Sequence, residues 1–249
     1  MRITGRVIWR AAWLIAELVV IGLSFLLLYA VKLGRPTRHH RAVCLQRAAR
    51  RTLRVFVDRV DLDGPLPKAG LLVSNHLSYL DISLLGSLTP AVFISKAEVK
   101  NWPVFGWFAA LGGTVFVRRE RRGEVGAIAE QIKSLLQDGH LVVLFPEGTS
   151  SGGGSVLPFK SSLLEPIVGQ THDLHAGCIS YAMVGGKVGE DVCYWGDMTF
   201  GPHLLKLLGK PFVRARVAFA DIGEPAGDRK QLARQLHAAV SALQEQICA

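Results

Sequence analysis

Apolar residues run almost without a break over 11–31, where Glu17 is the sole charge. As a helix this stretch reaches about 31 Å, roughly the hydrocarbon thickness of a bilayer. Glu17 lies near one end, where tilting or snorkelling lowers its penalty, so a spanning helix and a half-inserted helix both remain open. A cleaved secretory signal has a shorter apolar run, about 7 to 15 residues, followed by small residues. Here Lys32-Leu33-Gly34-Arg35 follows instead, and the pattern predicts a retained anchor.

Beyond Asp58 short apolar runs alternate with amphipathic stretches, with no internal repeat or long linker, which predicts a single α/β domain around a central, mostly parallel sheet. Residues 1–55 read as membrane anchor and juxtamembrane segment, and residues 56–249 as the folded domain. Predicted strands cover 70–74, 91–95, 114–117, 141–145, 178–184 and 213–219. Val125, Ile128, Ile132, Leu135 and Leu136 mark one face of a helix over 123–138, with Gly139 at the C-cap position. The unbroken apolar run 141–145 predicts a strand buried on both faces. Near the end, Leu232, Leu236, Val240, Leu243 and Ile247 mark a terminal amphipathic helix, with Asp228 and Gln231 spaced as a capping box.

Composition sharpens this outline. A 49% hydrophobic content is high for a freely soluble chain of 249 residues and low for a polytopic membrane protein. The net charge of +9 calls for an anionic partner, either nucleic acid or an acidic membrane surface. Between Glu17 and Asp58 there is no acidic residue, whereas Lys32, Arg35, Arg38, Arg41, Arg47, Arg50, Arg51 and Arg54 are all basic. This block outweighs Arg2, Arg6 and Arg10 on the other flank, and so places the domain on the cytoplasmic side of an inner membrane. No helix-turn-helix, zinc-finger or RNP pattern accompanies it, so anionic lipid headgroups are the expected partner and nucleic acid is not. Cys44, Cys178, Cys193 and Cys248 are too scattered for a zinc site or a disulfide framework, in keeping with a reducing compartment.

Three short segments carry candidate chemistry. Asn75-His76-Leu77-Ser78-Tyr79-Leu80-Asp81 follows the first predicted strand. Residues five apart diverge on a regular helix or strand, so His76 and Asp81 meet only if a helix start intervenes. A histidine oriented by a carboxylate is the arrangement needed to take a proton from a hydroxyl, although Ser78-x-x-Asp81 is also a helix-capping pattern. Phe145-Pro146-Glu147-Gly148-Thr149-Ser150 ends the apolar strand, where ligands bind in open α/β sheets. Gly112 to Arg119 leads a strand into Arg118, a candidate phosphate or carboxylate partner, with Lys160 a weaker one. Between them, Trp102, Phe105, Trp107 and Phe108 read equally as core, interface anchor or acyl-chain wall.

In this order and near these separations, the three segments resemble the glycerolipid acyltransferase family, over about residues 70–220. The resemblance implies an α/β fold with His76 as general base and Asp81 orienting it, and with Glu147, Gly148 and Thr149 placing the acceptor. It also implies acyl-CoA or acyl-carrier protein as donor, a lysolipid as acceptor, and no metal or prosthetic group. Lysophosphatidate is the acceptor expected first, with lyso-ornithine lipid close behind. Leu157-Pro158-Phe159-Lys160-Ser161-Ser162 and Tyr194-Trp195-Gly196-Asp197-Met198 look like accessory segments of bacterial members, including the lyso-ornithine lipid acyltransferases. Two positions depart from the family pattern: Ser150 stands where lysophosphatidate enzymes commonly have arginine, and Ala176 stands near a usual proline.

Rival readings are weaker. A serine hydrolase would need a Gly-x-Ser-x-Gly elbow, which the chain lacks. A non-catalytic lipid-binding protein would use only the basic block. His172, His175 and His203 have no cysteine or paired carboxylate spacing that would make them metal ligands.

Overall fold

The computed structural model describes residues 4–102, 104–117, 122–168, 172–223 and 227–248. Among these described residues seven strands form one sheet: β1 (Val57–Asp63), β2 (Gly70–Ser74), β3 (Ala91–Lys96), β4 (Val115–Val117), β5 (Leu141–Leu144), β6 (Leu174–Met183) and β7 (Val213–Ile222). Their order is β1-β7-β6-β2-β5-β3-β4, and every neighbouring pair is parallel except β6 with β7. Six strands lie where the apolar runs predict them, with β6 starting four residues earlier than expected. The extra strand, β1, reads Val-Asp-Arg-Val-Asp-Leu-Asp and hides behind its charges. As an edge strand it keeps much of that polar surface in solvent, and Arg216 of β7 reaches Asp63 at 2.6 Å.

Helices cover both faces of the sheet. On one side lie α1 (Gly5–Val31), α2 (Arg38–Leu53), α3 (Leu80–Leu88) and α7 (Phe200–Leu208), which share a core with the residues under β2, β5 and β7. The other side carries α5 (Arg122–Gln137) and α8 (Arg229–Cys248). Two short helices, α4 (Phe105–Gly112) and α6 (Val188–Asp191), sit among the loops. Ile128, Ile132, Leu135 and Leu136 of α5 are buried as its periodicity requires, and Gly139 ends it at φ +74°; the side chain of Val125 lies outside the described residues. All five apolar positions marked on α8 are buried, and Asp228 caps it by accepting from the N–H groups of Lys230 and Gln231.

The N-terminal helix is docked along its length. Val7, Arg10, Leu14, Ile21 and Phe25 face the domain, whereas Ile15, Leu23, Leu26 and Leu27 on the outer side are exposed. Val7 and Leu14 join the main core, and Ile21 and Phe25 pack with Ala48 of α2. Glu17 is not solvated at a helix end; its carboxylate accepts from Trp13 Nε1 at 3.1 Å and pairs with Arg51 of α2. The basic block is thus partly turned inward. Arg41 donates to the carbonyls of Ala110 and Leu111 and Arg50 to that of Ser87, leaving Lys32, Arg35, Arg38, Arg47 and Arg54 exposed.

Candidate active site

Strand register brings the first and second motifs together. β2 and β5 run parallel with Val73 opposite Leu144, so three residues further on each chain, His76 meets Glu147. The N–H of His76 donates to Glu147 Oε1 at 3.1 Å. On the other flank of β2, the Asn75 side chain bonds both ways to the backbone of Ile179 in β6, at 2.9 and 2.7 Å. These bonds fix the exit of β2 between its two neighbours, at the carboxyl ends of parallel strands.

A tight bend then turns the chain back. Asp81, in the first turn of α3 and fully buried, directs Oδ2 at three groups: the N–H of Leu77 at 2.6 Å, the N–H of Ser78 at 2.9 Å, and Nδ1 of His76 at 2.7 Å. The carboxylate thus orients the histidine and gathers the N–H groups of the bend, but the capping box is only half made: the Ser78 hydroxyl has no partner among the described residues. The other oxygen of Asp81, Oδ1, accepts from the Tyr181 hydroxyl at 2.7 Å. Facing a carboxylate, Nδ1 of His76 carries the proton, which leaves Nε2 with its lone pair free. The ring stacks on Phe145 with 4.3 Å between centroids, and its side chain is 21% exposed, open to the cleft.

Glu147 is almost wholly buried, and its Oε2 has no partner among the described residues. Burial pushes its carboxyl up to about 8, against the pull of backbone hydrogen bonds from His76 and Leu157, and nearby Asp81 adds to the rise. Gly148 adopts φ +71°, which lets the chain turn out of β5 beneath the cleft. Gly148 and Thr149 line the cleft, whereas the Ser150 hydroxyl donates to the Tyr194 carbonyl. That bond joins the second motif to the accessory segment at Tyr194, and the N–H of Tyr194 in turn donates to Leu77 at 2.8 Å.

Two further expected residues are not seen in the cleft for different reasons. Arg118 lies outside the described residues. Lys160 is not brought into the cleft: its backbone N–H donates to Pro146 at 2.9 Å while its side chain points to solvent. A cation that sequence reasoning did not mark, Lys96 at the end of β3, lines the cleft instead. Nothing in Ile-Ser-Lys-Ala distinguishes it from a surface lysine; only its place beside β5 does. Among the remaining histidines, His175 faces Asp221 and the Ala69 carbonyl, and His203 faces Tyr79, so they do not converge.

The cleft, about 280 Å³, adjoins an apolar cavity of about 120 Å³. Leu18 and Ile21 of α1, Leu45 and Ala48 of α2, Ile82 of α3 and Phe108 of α4 contribute to the walls of that cavity, and Tyr79, Val99 and Trp102 border both spaces. The four aromatics of the segment differ in their surroundings. Trp102, Phe105 and Phe108 line the cavity, Phe108 also stacks on Phe25 of α1, and Trp107 is 67% exposed.

Known proteins resemble the chain over this region. The Acyltransferase family matches residues 41–173, which include His76, Asp81 and Glu147. The chain is 37% identical over 190 residues to a lyso-ornithine lipid O-acyltransferase of Brucella abortus, covering 70% of each chain. It is 34% identical over 138 residues to a 1-acyl-sn-glycerol-3-phosphate acyltransferase of Neisseria gonorrhoeae, covering 52% of this chain and 54% of that one. The crystal structure of the 1-acyl-sn-glycerophosphate acyltransferase of Thermotoga maritima shares the fold over 98% of each chain, with a TM-score of 0.66 at 21% identity. The chain belongs to the Acyltransferase family of lipid O-acyltransferases.

Proposed function

We propose that the enzyme moves a fatty acyl group from a thioester, acyl-CoA or acyl-carrier protein, onto the free hydroxyl of a lysolipid, with His76 as general base. The observation that carries this reading is the 2.7 Å contact between His76 Nδ1 and Asp81, which leaves Nε2 facing the cleft. Nε2 takes the hydroxyl proton as the oxygen attacks the thioester carbonyl; the thiolate leaves, and the imidazolium returns the proton to it. Asp81 holds the ring and steadies its positive charge. The thioester is the only activated group the transfer uses, and no metal or prosthetic group takes part. Glu147, Gly148 and Thr149 shape the acceptor side, and the apolar cavity receives an acyl chain.

Lyso-ornithine lipid is the acceptor we place first. The Ser150 hydroxyl is engaged by Tyr194, so the position where lysophosphatidate enzymes carry arginine offers no cation. Several relatives with the wider coverage are also lyso-ornithine lipid acyltransferases. Lysophosphatidate is the second reading, favoured by Lys96 in the cleft and by the Neisseria relatives. Offering purified enzyme both lysolipids in competition, with radiolabelled acyl-CoA or acyl-carrier protein, tests this; label entering only phosphatidate overturns the preferred acceptor.

The membrane association of the enzyme takes, in our reading, a definite form. Because α1 is docked along the domain from Val7 to Phe25 and exposes its other face, we infer that it lies in one leaflet, with the domain on the cytoplasmic side of the inner membrane.

A further inference from the structure

Tyr181 stands on β6, 100 residues beyond Asp81, and its hydroxyl donates to Asp81 Oδ1 at 2.7 Å. It lies outside the matched family region and outside every motif, and its sequence context, Cys-Ile-Ser-Tyr-Ala-Met, reads as ordinary core. Yet β6 is the strand hydrogen-bonded to β2, and Asn75 is clamped to Ile179 two residues before Tyr181. The framework that locks the His76 loop therefore also aims this phenol at the carboxylate.

We infer that Tyr181 is a positioning residue of the acyl transfer, completing a Tyr181–Asp81–His76 relay in which the phenol fixes the carboxylate and moderates its pull on the imidazole. This rests on His76 acting as the base. The buried Asp81 carboxylate has four donors: Tyr181 on Oδ1, with Leu77, Ser78 and His76 on Oδ2. Three donors fix Oδ2 and Tyr181 fixes Oδ1, so the phenol supplies the second point that sets the plane the carboxylate presents to His76. By accepting from the phenol, the carboxylate shares its negative charge and holds the imidazolium less strongly.

Other titratable groups around the dyad do not take over this role. Burial pushes the Cys193 thiol up to about 12, and raises Tyr79 as well, so both stay protonated where enzymes work. Burial, with Asp81 beside it, keeps the Tyr181 phenol protonated too. Glu147, pushed up to about 8 by burial, titrates on the alkaline side and touches the His76 backbone rather than its ring.

The experiment compares full-length wild type, Tyr181→Phe and enzyme carrying 3-fluorotyrosine at 181, with His76→Ala as control. Loss of a hydrogen bond to a charged group predicts a kcat about 10-fold lower for Tyr181→Phe, with KM for both substrates unchanged. The acid limb of its pH–rate profile should move up by about half a unit, because Asp81 then holds the imidazolium harder. Fluorotyrosine, a stronger donor that keeps the bond, should move that limb the opposite way. A purely structural role would not give opposite displacements. A folded Tyr181→Phe enzyme with wild-type kcat and acid limb overturns the relay. If that variant does not fold, an unmoved acid limb in the fluorotyrosine enzyme does so. An active His76→Ala enzyme would instead refute the base on which the relay rests, so the two failures are distinguishable.

Discussion

The N–H of His76 donates to Oε1 of Glu147 at 3.1 Å, across the exits of two adjacent parallel strands. The same carboxyl group is buried and has its ionisation pushed up to about 8. A folded-state value so far above the ordinary 4.5 means that the native protein holds a proton that the unfolded chain releases. The stability this contributes is full below about 4.5 and is lost as pH rises through about 8. Glu147→Gln keeps an oxygen for His76 and removes the titration. Between pH 5 and pH 9 wild type should therefore lose on the order of 10 °C more in Tm than the variant. Parallel Tm curves for the two would show that Glu147 is ionised throughout.

Asp81→Asn keeps the shape of the side chain but offers His76 an amide. Its kcat should fall on the order of 100-fold with KM little changed, since ring orientation and imidazolium stabilisation suffer while the cleft does not. Near-normal kcat in a folded variant would argue against the orienting role.

The two faces of α1 should respond differently to substitution. Leu14→Ala removes a buried core side chain and should destabilise the fold by about 2 to 5 kcal/mol, read by denaturation in detergent. Replacing Leu23 and Leu27 together by Asn changes only the exposed face, so the fold should persist while binding to lipid vesicles weakens. Equal vesicle binding in wild type and the double variant would contradict an in-plane helix.

Within the aromatic segment, Trp102 and Trp107 make a matched pair. Trp102→Ala opens the wall shared by cleft and cavity and should raise KM for long-chain donors several-fold, with short-chain donors less affected. Trp107→Ala should leave donor KM unchanged and weaken vesicle binding instead. Flotation assays and donor-length series check both.

What the sequence makes legible follows the local physics. Leu71 to Val73 and Leu141 to Leu144 are apolar without interruption because both faces of those strands are covered, so β2 and β5 can be placed to within a residue. Their adjacency cannot be read that way, yet it sets Glu147 against His76. β1 escapes the same reasoning because an edge strand keeps its charges. Arg41, Arg50 and Arg51 look like lipid-facing cations, but tertiary packing finds them carbonyls and a carboxylate. Tyr181 and Lys96 are invisible for the opposite reason: each is an unremarkable residue in its own strand, and only the sheet order gives it a neighbour.

Leu18 and Ile21 belong to the N-terminal helix, yet they help form the wall of the apolar cavity that adjoins the cleft lined by His76. Trimming the chain before Lys32 to obtain a more tractable enzyme would therefore open the greasy chamber to water on one side. The N-terminal helix therefore acts as a roof over that chamber, and its loss would cost the enclosure as well as a packed face.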